Sequence, residues 1–257
     1  MTCLLTVLIL LMLTACTAPL TPVPTPTVAV EPITIVTLGD SLTDGDKDDA
    51  PHGGGWPRRI RSALAAQRPG SQVINLARPG WTSHDLLQGR DGEPNQIDRA
   101  VDRLRTASGE KSATVWIGVN DLFYLYEFGN PTAVEEDREA DRFARDLDEL
   151  LDRLSDTNAT VFIALLHDPS HGSVQTSGVF MSTTPEEWAR MAQQAQRYNA
   201  TITAAAAKHA ATLVDIPATM IFSTPALMFE DGIHPNARGY DELTKVWWKA
   251  LRDTVTR

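Results

Sequence analysis

Cysteine is nearly absent from this chain of 257 residues. The two cysteines, Cys3 and Cys16, both lie within the first 16 residues, and residues 17–257 contain none. A disulfide framework and a metal site built on cysteine ligands are therefore excluded for that part of the chain. The length is that expected of one good-sized domain.

An excess of basic charge is also lacking. The chain has 33 acidic and 23 basic residues, a formal net charge of −10, and the two signs are intermixed along most of the sequence. Because no basic stripe is available to neutralise phosphates, we do not expect nucleic acid as a partner.

The apolar run Leu4–Leu13 has the length of a signal-peptide core and is too short to span a bilayer. It ends in Leu13-Thr14-Ala15-Cys16, which looks like a bacterial lipoprotein cleavage box. We therefore expect residues 1–16 to be a lipoprotein-type signal peptide, with Cys16 carrying the lipid that anchors the protein to a membrane of the cell envelope. The absence of Lys and Arg from residues 1–3 departs from the usual pattern. A plain secretory signal and a retained membrane anchor are the alternatives, and both would still export the domain.

Residues 17–32 contain closely spaced prolines among Thr, Val and Ala, which favours extended, semi-rigid backbone. We interpret this segment as a tether and residues 33–257 as the folded domain. The prolines are Pro19, Pro22, Pro24, Pro26 and Pro32.

Short apolar runs without clean polar alternation predict parallel strands that are covered on both faces. Longer stretches of helical period separate them, such as Phe143–Leu154, and this alternation predicts a three-layer α/β/α sandwich. The five predicted strands are Ile33–Leu38, Gln72–Leu76, Ala113–Val119, Thr160–Leu166 and Ala211–Ile216.

The tetrapeptide Gly39-Asp40-Ser41-Leu42 follows the first predicted strand directly. In an open α/β sheet, ligands bind beyond the carboxyl ends of the strands, so Ser41 is a candidate nucleophile. A serine hydroxyl needs an adjacent base to accept its proton. Ordinary turn chemistry is the alternative interpretation of Gly-Asp-Ser.

Asp231 and His234 supply a carboxylate and an imidazole three residues apart, in a loop that leads into the last predicted helix. The carboxylate can orient one ring nitrogen while the other faces Ser41, as in a Ser-His-Asp triad. The alternative is that Asp231 only caps backbone amides at the start of the helix.

Two further residues can donate hydrogen bonds to an oxyanion. Gly80 follows the second predicted strand, and Asn120 lies in Gly118-Val119-Asn120-Asp121 at the end of the third. Taken singly, each is also an ordinary turn residue.

These four blocks, with Ser41, Gly80, Asn120 and His234 in this order, resemble the SGNH (GDSL) hydrolase family over the whole predicted domain. The resemblance implies a five-stranded parallel sheet of flavodoxin-like type. It also implies hydrolysis of esters without a metal or other cofactor. The implied oxyanion hole uses the backbone amides of Ser41 and Gly80 and the side chain of Asn120.

The four blocks do not identify the substrate. Carbohydrate O-acetyl esters and short-chain or lysophospholipid-type esters both fit an enzyme tethered to a membrane surface. An acyltransferase acting on a sugar hydroxyl and a non-catalytic surface binding module are the alternative functions. Trp81, His84 and His167 are candidate substrate contacts because each closely follows a site block or a strand end.

Two competing interpretations are weaker. An α/β-hydrolase requires a Gly-x-Ser-x-Gly elbow, which the chain lacks. A calcium loop is suggested by Asp44, Asp46, Asp48 and Asp49, but Asp49 stands where an EF-hand requires glycine. We expect instead a solvated acidic loop within Thr43–Trp56. This segment and Asp168–Pro185 lack helical or strand periodicity and are expected to shape the substrate pocket.

Overall fold

A computed structural model describes residues 31–127, 130–170, 172–176, 178–180 and 182–255. The predicted signal peptide, its Cys16 and residues 17–30 of the tether lie outside the described residues, so these remain predictions. None of the helices within the described ranges combines the length and the apolar character needed to cross a bilayer.

The described residues form a five-stranded sheet in which every pair of neighbouring strands is parallel. The strands are β1 (Ile33–Gly39), β2 (Gln72–Asn75), β3 (Glu110–Trp116), β4 (Thr160–Ala164) and β5 (Thr212–Val214). The strand order is β2-β1-β3-β4-β5, which is the flavodoxin-like order that the resemblance implies. The direction of winding reverses at β1, so the crevice beyond the ends of β1 and β3 is where such sheets bind ligands.

Helices cover both faces of the sheet, as the predicted three-layer sandwich requires. The helices are α1 (Ser41–Asp44), α2 (Gly55–Gln67), α3 (Ser83–Gln88), α4 (Gln96–Thr106), α5 (Val119–Tyr126), α6 (Ala133–Ser155), α7 (Pro185–Lys208) and α8 (Ala237–Val255). On one face α2 packs against α8, with the short α1 beside α2. On the other face α4, α6 and α7 pack against the strands, with α3 and α5 against α6.

Stacked aromatic pairs fill the contact between helices in each outer layer. Trp56 of α2 stacks on Trp247 of α8 with ring centroids 4.4 Å apart, and Phe143 of α6 stacks on Tyr198 of α7 at 4.2 Å. The predicted apolar stripe of α6 is fully buried, because its members face the sheet at helical spacing. The stripe consists of Phe143, Leu147, Leu150, Leu151 and Leu154.

The predicted third strand, Ala113–Val119, is displaced in the structure. β3 begins earlier, because the polar residues from Glu110 pair with the start of β1. It ends at Trp116 because Gly118 has a φ of 123°, which ends the extended backbone, and Val119 starts α5. Asn120 therefore lies on a helix and not at a strand end. The other predicted strands agree with the structure to within one or two residues at each end.

The acidic segment after α1 is bonded to neighbouring helices. Asp48 forms an ion pair with Arg59 of α2 and accepts from the Gly55 N–H at 2.9 Å, and Asp49 accepts from the Ala237 N–H at 2.7 Å. These carboxylates thus bind protein donors. Within the described residues no group of three or more His, Cys, Asp or Glu side chains is arranged to hold a metal ion.

Candidate active site

Ser41 is the first residue of α1, immediately beyond the end of β1. The Asp40 carboxylate caps this short helix by accepting from the Leu42 N–H at 2.9 Å. The buried side chain of Gln96 holds the strand end, since it accepts from the Gly39 N–H at 3.0 Å and donates to the Gly39 carbonyl at 2.9 Å. The turn that presents Ser41 is therefore fixed on both sides.

Ser41, His234 and Asp231 form a continuous hydrogen-bonded chain. His234 Nε2 lies 2.8 Å from Ser41 Oγ, and His234 Nδ1 lies 2.7 Å from Asp231 Oδ2. The other carboxylate oxygen of Asp231 accepts from the backbone N–H groups of Ile233 and His234, at 2.9 and 3.0 Å. Asp231 thus contacts the imidazole and also accepts from two backbone amides, but these amides precede α8, which begins at Ala237. The arrangement has the geometry of a nucleophile, a general base and an orienting carboxylate.

The carboxylate of Asp231 is stabilised in its charged form. Partial burial alone would raise its pKa, but the hydrogen bonds from the His234 N–H, the His234 imidazole and the Ile233 N–H hold the pKa below its usual value. An ionised Asp231 accepts from Nδ1–H, which leaves Nε2 to accept a proton from Ser41.

Three donors lie around Ser41. Among the described residues, the backbone N–H groups of Ser41 and Gly80 have no hydrogen-bond partner. The side-chain amide of Asn120 donates one hydrogen to the Trp81 carbonyl at 2.9 Å, and an amide NH₂ carries a second hydrogen. Ser41, Gly80 and Asn120 line the same cavity, so their donors can converge on one oxygen.

The cavity has a volume of about 200 Å³ and mixes polar with apolar side chains. The acidic segment after α1 contributes Asp46 to its wall, but no described residue of Asp168–Pro185 lines it. Within the described residues, only the first of the two predicted pocket-shaping segments therefore lines the cavity. The lining residues are Ser41, Leu42, Asp46, Pro79, Gly80, Val119, Asn120, Phe123, Tyr124, Glu127, His167, Ile233 and His234.

His167 is the one predicted substrate contact that reaches this cavity. Its ring stacks on Phe222 with centroids 3.7 Å apart, and its buried Nδ1 has no hydrogen-bond partner among the described residues. Burial lowers the pKa of His167 to about 4, against the opposing charge of Asp168, so the ring is neutral at neutral pH. A buried N–H without a partner costs more free energy than a buried lone pair without a partner. The unpartnered Nδ1 therefore favours the tautomer with its proton on Nε2.

The other two predicted contacts lie elsewhere. The indole of Trp81 is buried in the core, and only its backbone carbonyl, which accepts from Asn120, belongs to the site. His84 is half-exposed on α3, with Nδ1 3.5 Å from Asp146. Neither side chain lines the cavity. Trp81 and His84 thus remain predicted substrate contacts whose side chains do not line this cavity.

Two buried carboxylates behind the site were not singled out from the sequence. Burial raises the pKa of Asp40 to about 7; the hydrogen bond from Leu42 opposes this rise and the charge of Asp121 adds to it. Burial likewise raises the pKa of Asp121 to about 6, although Ser83 donates to it through its hydroxyl at 2.6 Å and its N–H at 3.0 Å. Two acidic residues thus lie in the interior next to the nucleophile, with little water to stabilise their charge.

We predict that Asp40→Asn changes the pH dependence of stability. Asn retains a carbonyl oxygen for the Leu42 N–H but cannot ionise. Because the pKa of Asp40 is about 7 when folded and near 4 when unfolded, the wild type loses stability as the pH rises from about 4 to about 7. The free energy of unfolding of Asp40→Asn relative to wild type should therefore increase over this range, by at most about 4 kcal/mol. Urea unfolding at pH 4 and pH 8 measures the difference, and equal differences at both values would contradict the prediction.

Comparison with solved structures shows the same fold in several esterases. The psychrotrophic esterase EstA from Pseudoalteromonas sp. superposes with a TM-score of 0.60 at 17% identity, over 87% of this chain and 99% of that one. TesA gives a TM-score of 0.59 at 18% identity, over 86% and 98%. Axe2, an acetylxylan esterase from Geobacillus stearothermophilus, gives 0.60 at 17% identity, over 87% and 95%. No curated protein sequence matches the chain.

The sequence model of the GDSL-like lipase/acylhydrolase family matches residues 37–242. This range includes all four blocks noted in the sequence, from the Ser41 turn to His234, and accounts for most of the described domain. The chain therefore belongs to the GDSL-like lipase/acylhydrolase family and is an ester hydrolase of the SGNH type.

Proposed function

We propose that this protein is an exported serine esterase that cleaves small acyl groups from alcohols. The observation that carries the proposal is the position of His234, which lies 2.8 Å from the Ser41 hydroxyl and 2.7 Å from the Asp231 carboxylate. A serine so placed can be deprotonated as it attacks a carbonyl carbon.

The proposed reaction has two halves. Ser41 Oγ bonds to the ester carbonyl carbon and passes its proton to His234 Nε2, and the tetrahedral intermediate then expels the alcohol, which takes that proton. Water next gives a proton to His234 and attacks the acyl-enzyme. The second intermediate releases the acid and returns the proton to Ser41.

The N–H groups of Ser41 and Gly80 and the free amide hydrogen of Asn120 are the proposed donors to the oxyanion in both halves. They lie in a partly enclosed cavity, where hydrogen bonds to a developing charge are stronger than in water. In the same proposal, the Nε2–H of the neutral His167 contacts a polar atom of the substrate.

The size of the cavity favours a short acyl group. Its volume of about 200 Å³ is below the roughly 300–1,000 Å³ common for ligand pockets. An acetyl group fits such a space, whereas the long chain of a lysophospholipid would have to extend beyond it. We therefore favour O-acetyl or other short-chain esters, including those of carbohydrates, the class that the name of Axe2 specifies for that enzyme.

A series of p-nitrophenyl esters tests the acyl-group assignment. We expect kcat/KM to be greatest for acyl chains of about two to four carbons and to fall steadily beyond about six, because longer chains exceed the cavity. A maximum at eight or more carbons would contradict the assignment. Absence of turnover on every ester by folded protein would contradict the esterase itself.

A further inference from the structure

Within the described residues, every backbone N–H group of the turn that carries Gly80 is hydrogen-bonded except one. Upstream, the Arg78 N–H donates to the Gly39 carbonyl at 3.1 Å, which continues the pairing of β2 with β1. Downstream, Trp81 accepts from Asn120 at 2.9 Å and the Thr82 N–H donates to Asp85 at 2.8 Å. The N–H group left without a partner among the described residues is that of Gly80, which is the proposed oxyanion donor.

The carbonyl of Gly80 itself accepts two hydrogen bonds from distant side chains. Arg90 Nη1 donates to it at 2.8 Å, and the hydroxyl of Tyr124, on α5, donates to it at 2.8 Å. Arg90 Nη1 is in turn 3.3 Å from the carboxylate of Asp85, which accepts from the N–H of Thr82, the N-cap residue of α3. We call Arg90 and Tyr124 together the Gly80 clamp.

The clamp packs tightly around a glycine. Gly80 has a φ of 74°, which L side chains rarely adopt. A Cβ at this position would lie 3.1 Å from the Tyr124 hydroxyl and 3.3 Å from Arg90 Nη2. The two donors therefore occupy the space beside Gly80 that a side chain would need.

We propose that Arg90 and Tyr124 are positioning residues that direct the Gly80 N–H toward the oxyanion, an inference that rests on the proposed function. The Gly80 N–H and carbonyl are separated only by the φ and ψ rotations at one Cα. With the upstream chain paired to β1, fixing the carbonyl also fixes the direction of the N–H. A donor fixed before the reaction needs no reorganisation as charge develops on the substrate oxygen.

The test compares kcat and KM for p-nitrophenyl acetate in Tyr124→Phe, Arg90→Ala and the double variant. Each single variant should lower kcat by about 3- to 10-fold, less than the 10²–10³-fold expected when an oxyanion donor is removed, because the Gly80 N–H is displaced but still present. The kcat of the double variant should fall by more than the product of the two single decreases, about 100-fold or more. In each single variant the other donor still holds the Gly80 carbonyl, whereas the double variant has neither. KM should stay within about twofold throughout.

Matched controls separate this role from stability. Tyr126→Phe removes a hydroxyl from the same helix, where it donates to Glu136 at 2.5 Å, and Arg153→Ala breaks an ion pair with Asp98 away from the site. Both controls should keep the wild-type kcat. Guanidinium ion at millimolar concentration should restore kcat in Arg90→Ala in a saturable manner and leave Arg153→Ala unchanged. If Arg90→Ala does not fold, the comparison of kcat and KM uses Arg90→Lys and Tyr124→Phe instead.

Three outcomes overturn the inference. The first is a wild-type kcat in folded Tyr124→Phe and in the double variant. The second is an increase in KM with unchanged kcat, which would make Tyr124 a substrate contact at the mouth of the cavity. The third is loss of kcat in the Arg90 variants without rescue by guanidinium. If Ser41→Ala is inactive while the clamp variants have the wild-type kcat, only the inference about the Gly80 clamp is wrong. If Ser41→Ala is active, the proposed function itself is wrong.

Discussion

Ser41→Ala should abolish ester hydrolysis, lowering kcat by about 10⁴-fold or more. The substitution removes the atom that attacks the carbonyl and leaves His234 without a proton to accept. Alanine is compatible with the first turn of α1, so the variant should retain the wild-type melting temperature to within a few degrees. Hydrolysis of p-nitrophenyl acetate measures the loss, and loss of covalent labelling by an organophosphonate provides an independent readout.

The design includes one matched control and one test of cooperation. Ser62→Ala removes an exposed hydroxyl from α2, where it donates to the Arg58 carbonyl at 3.2 Å, and it should leave turnover unchanged. Ser41→Ala/His234→Ala should be no less active than Ser41→Ala alone, because residues that act as a unit do not have additive effects. Turnover by folded Ser41→Ala near the wild-type rate would mean that another group is the nucleophile.

Local sequence patterns were sufficient to predict the sheet and the chemically distinctive side chains. A buried parallel strand must be apolar on both faces, so Ile33–Gly39 is recognisable without knowledge of its neighbours. Asp231 and His234 are close in sequence, and the contact between their side chains follows from a spacing of three residues. The meeting of Ser41 with His234, 193 residues apart, follows from the parallel topology, which brings strand ends to one edge of the sheet.

The residues that hold the site in place were not predictable in this way. Gln96 bonds Gly39 from 57 residues away, and Tyr124 bonds Gly80 from 44 residues away. Neither side chain lies in a motif, and each partner is a backbone group, which leaves no trace in the sequence. Trp81 and His84 show a related limit, since closeness in sequence to Gly80 does not determine whether a side chain lines the cavity.

Asn120→Ala should lower kcat by about 10²–10³-fold, equivalent to roughly 3–4 kcal/mol, with little change in KM. The position of Asn120 near the start of α5 directs its amide into the cavity that contains Ser41 and Gly80. One amide hydrogen donates to the Trp81 carbonyl at 2.9 Å, and the other is available to the substrate oxygen. That second bond strengthens as negative charge develops, so its loss affects the transition state more than the bound ester.

Asn120 also has a structural bond, so the experiment must separate the two roles. Loss of the bond to Trp81 should reduce stability by about 1–3 kcal/mol, because a buried carbonyl is left without its donor. Asn158→Ala is the matched control: Asn158 has a φ of 59° in the turn before β4, at the opposite edge of the sheet, and its replacement should lower stability without affecting kcat. Asn120→Asp, which keeps the size but adds a negative charge, should be at least as inactive as Asn120→Ala. A folded Asn120→Ala enzyme with kcat within about threefold of wild type would remove this amide from the oxyanion hole. The N–H groups of Ser41 and Gly80 would then be the only remaining proposed donors.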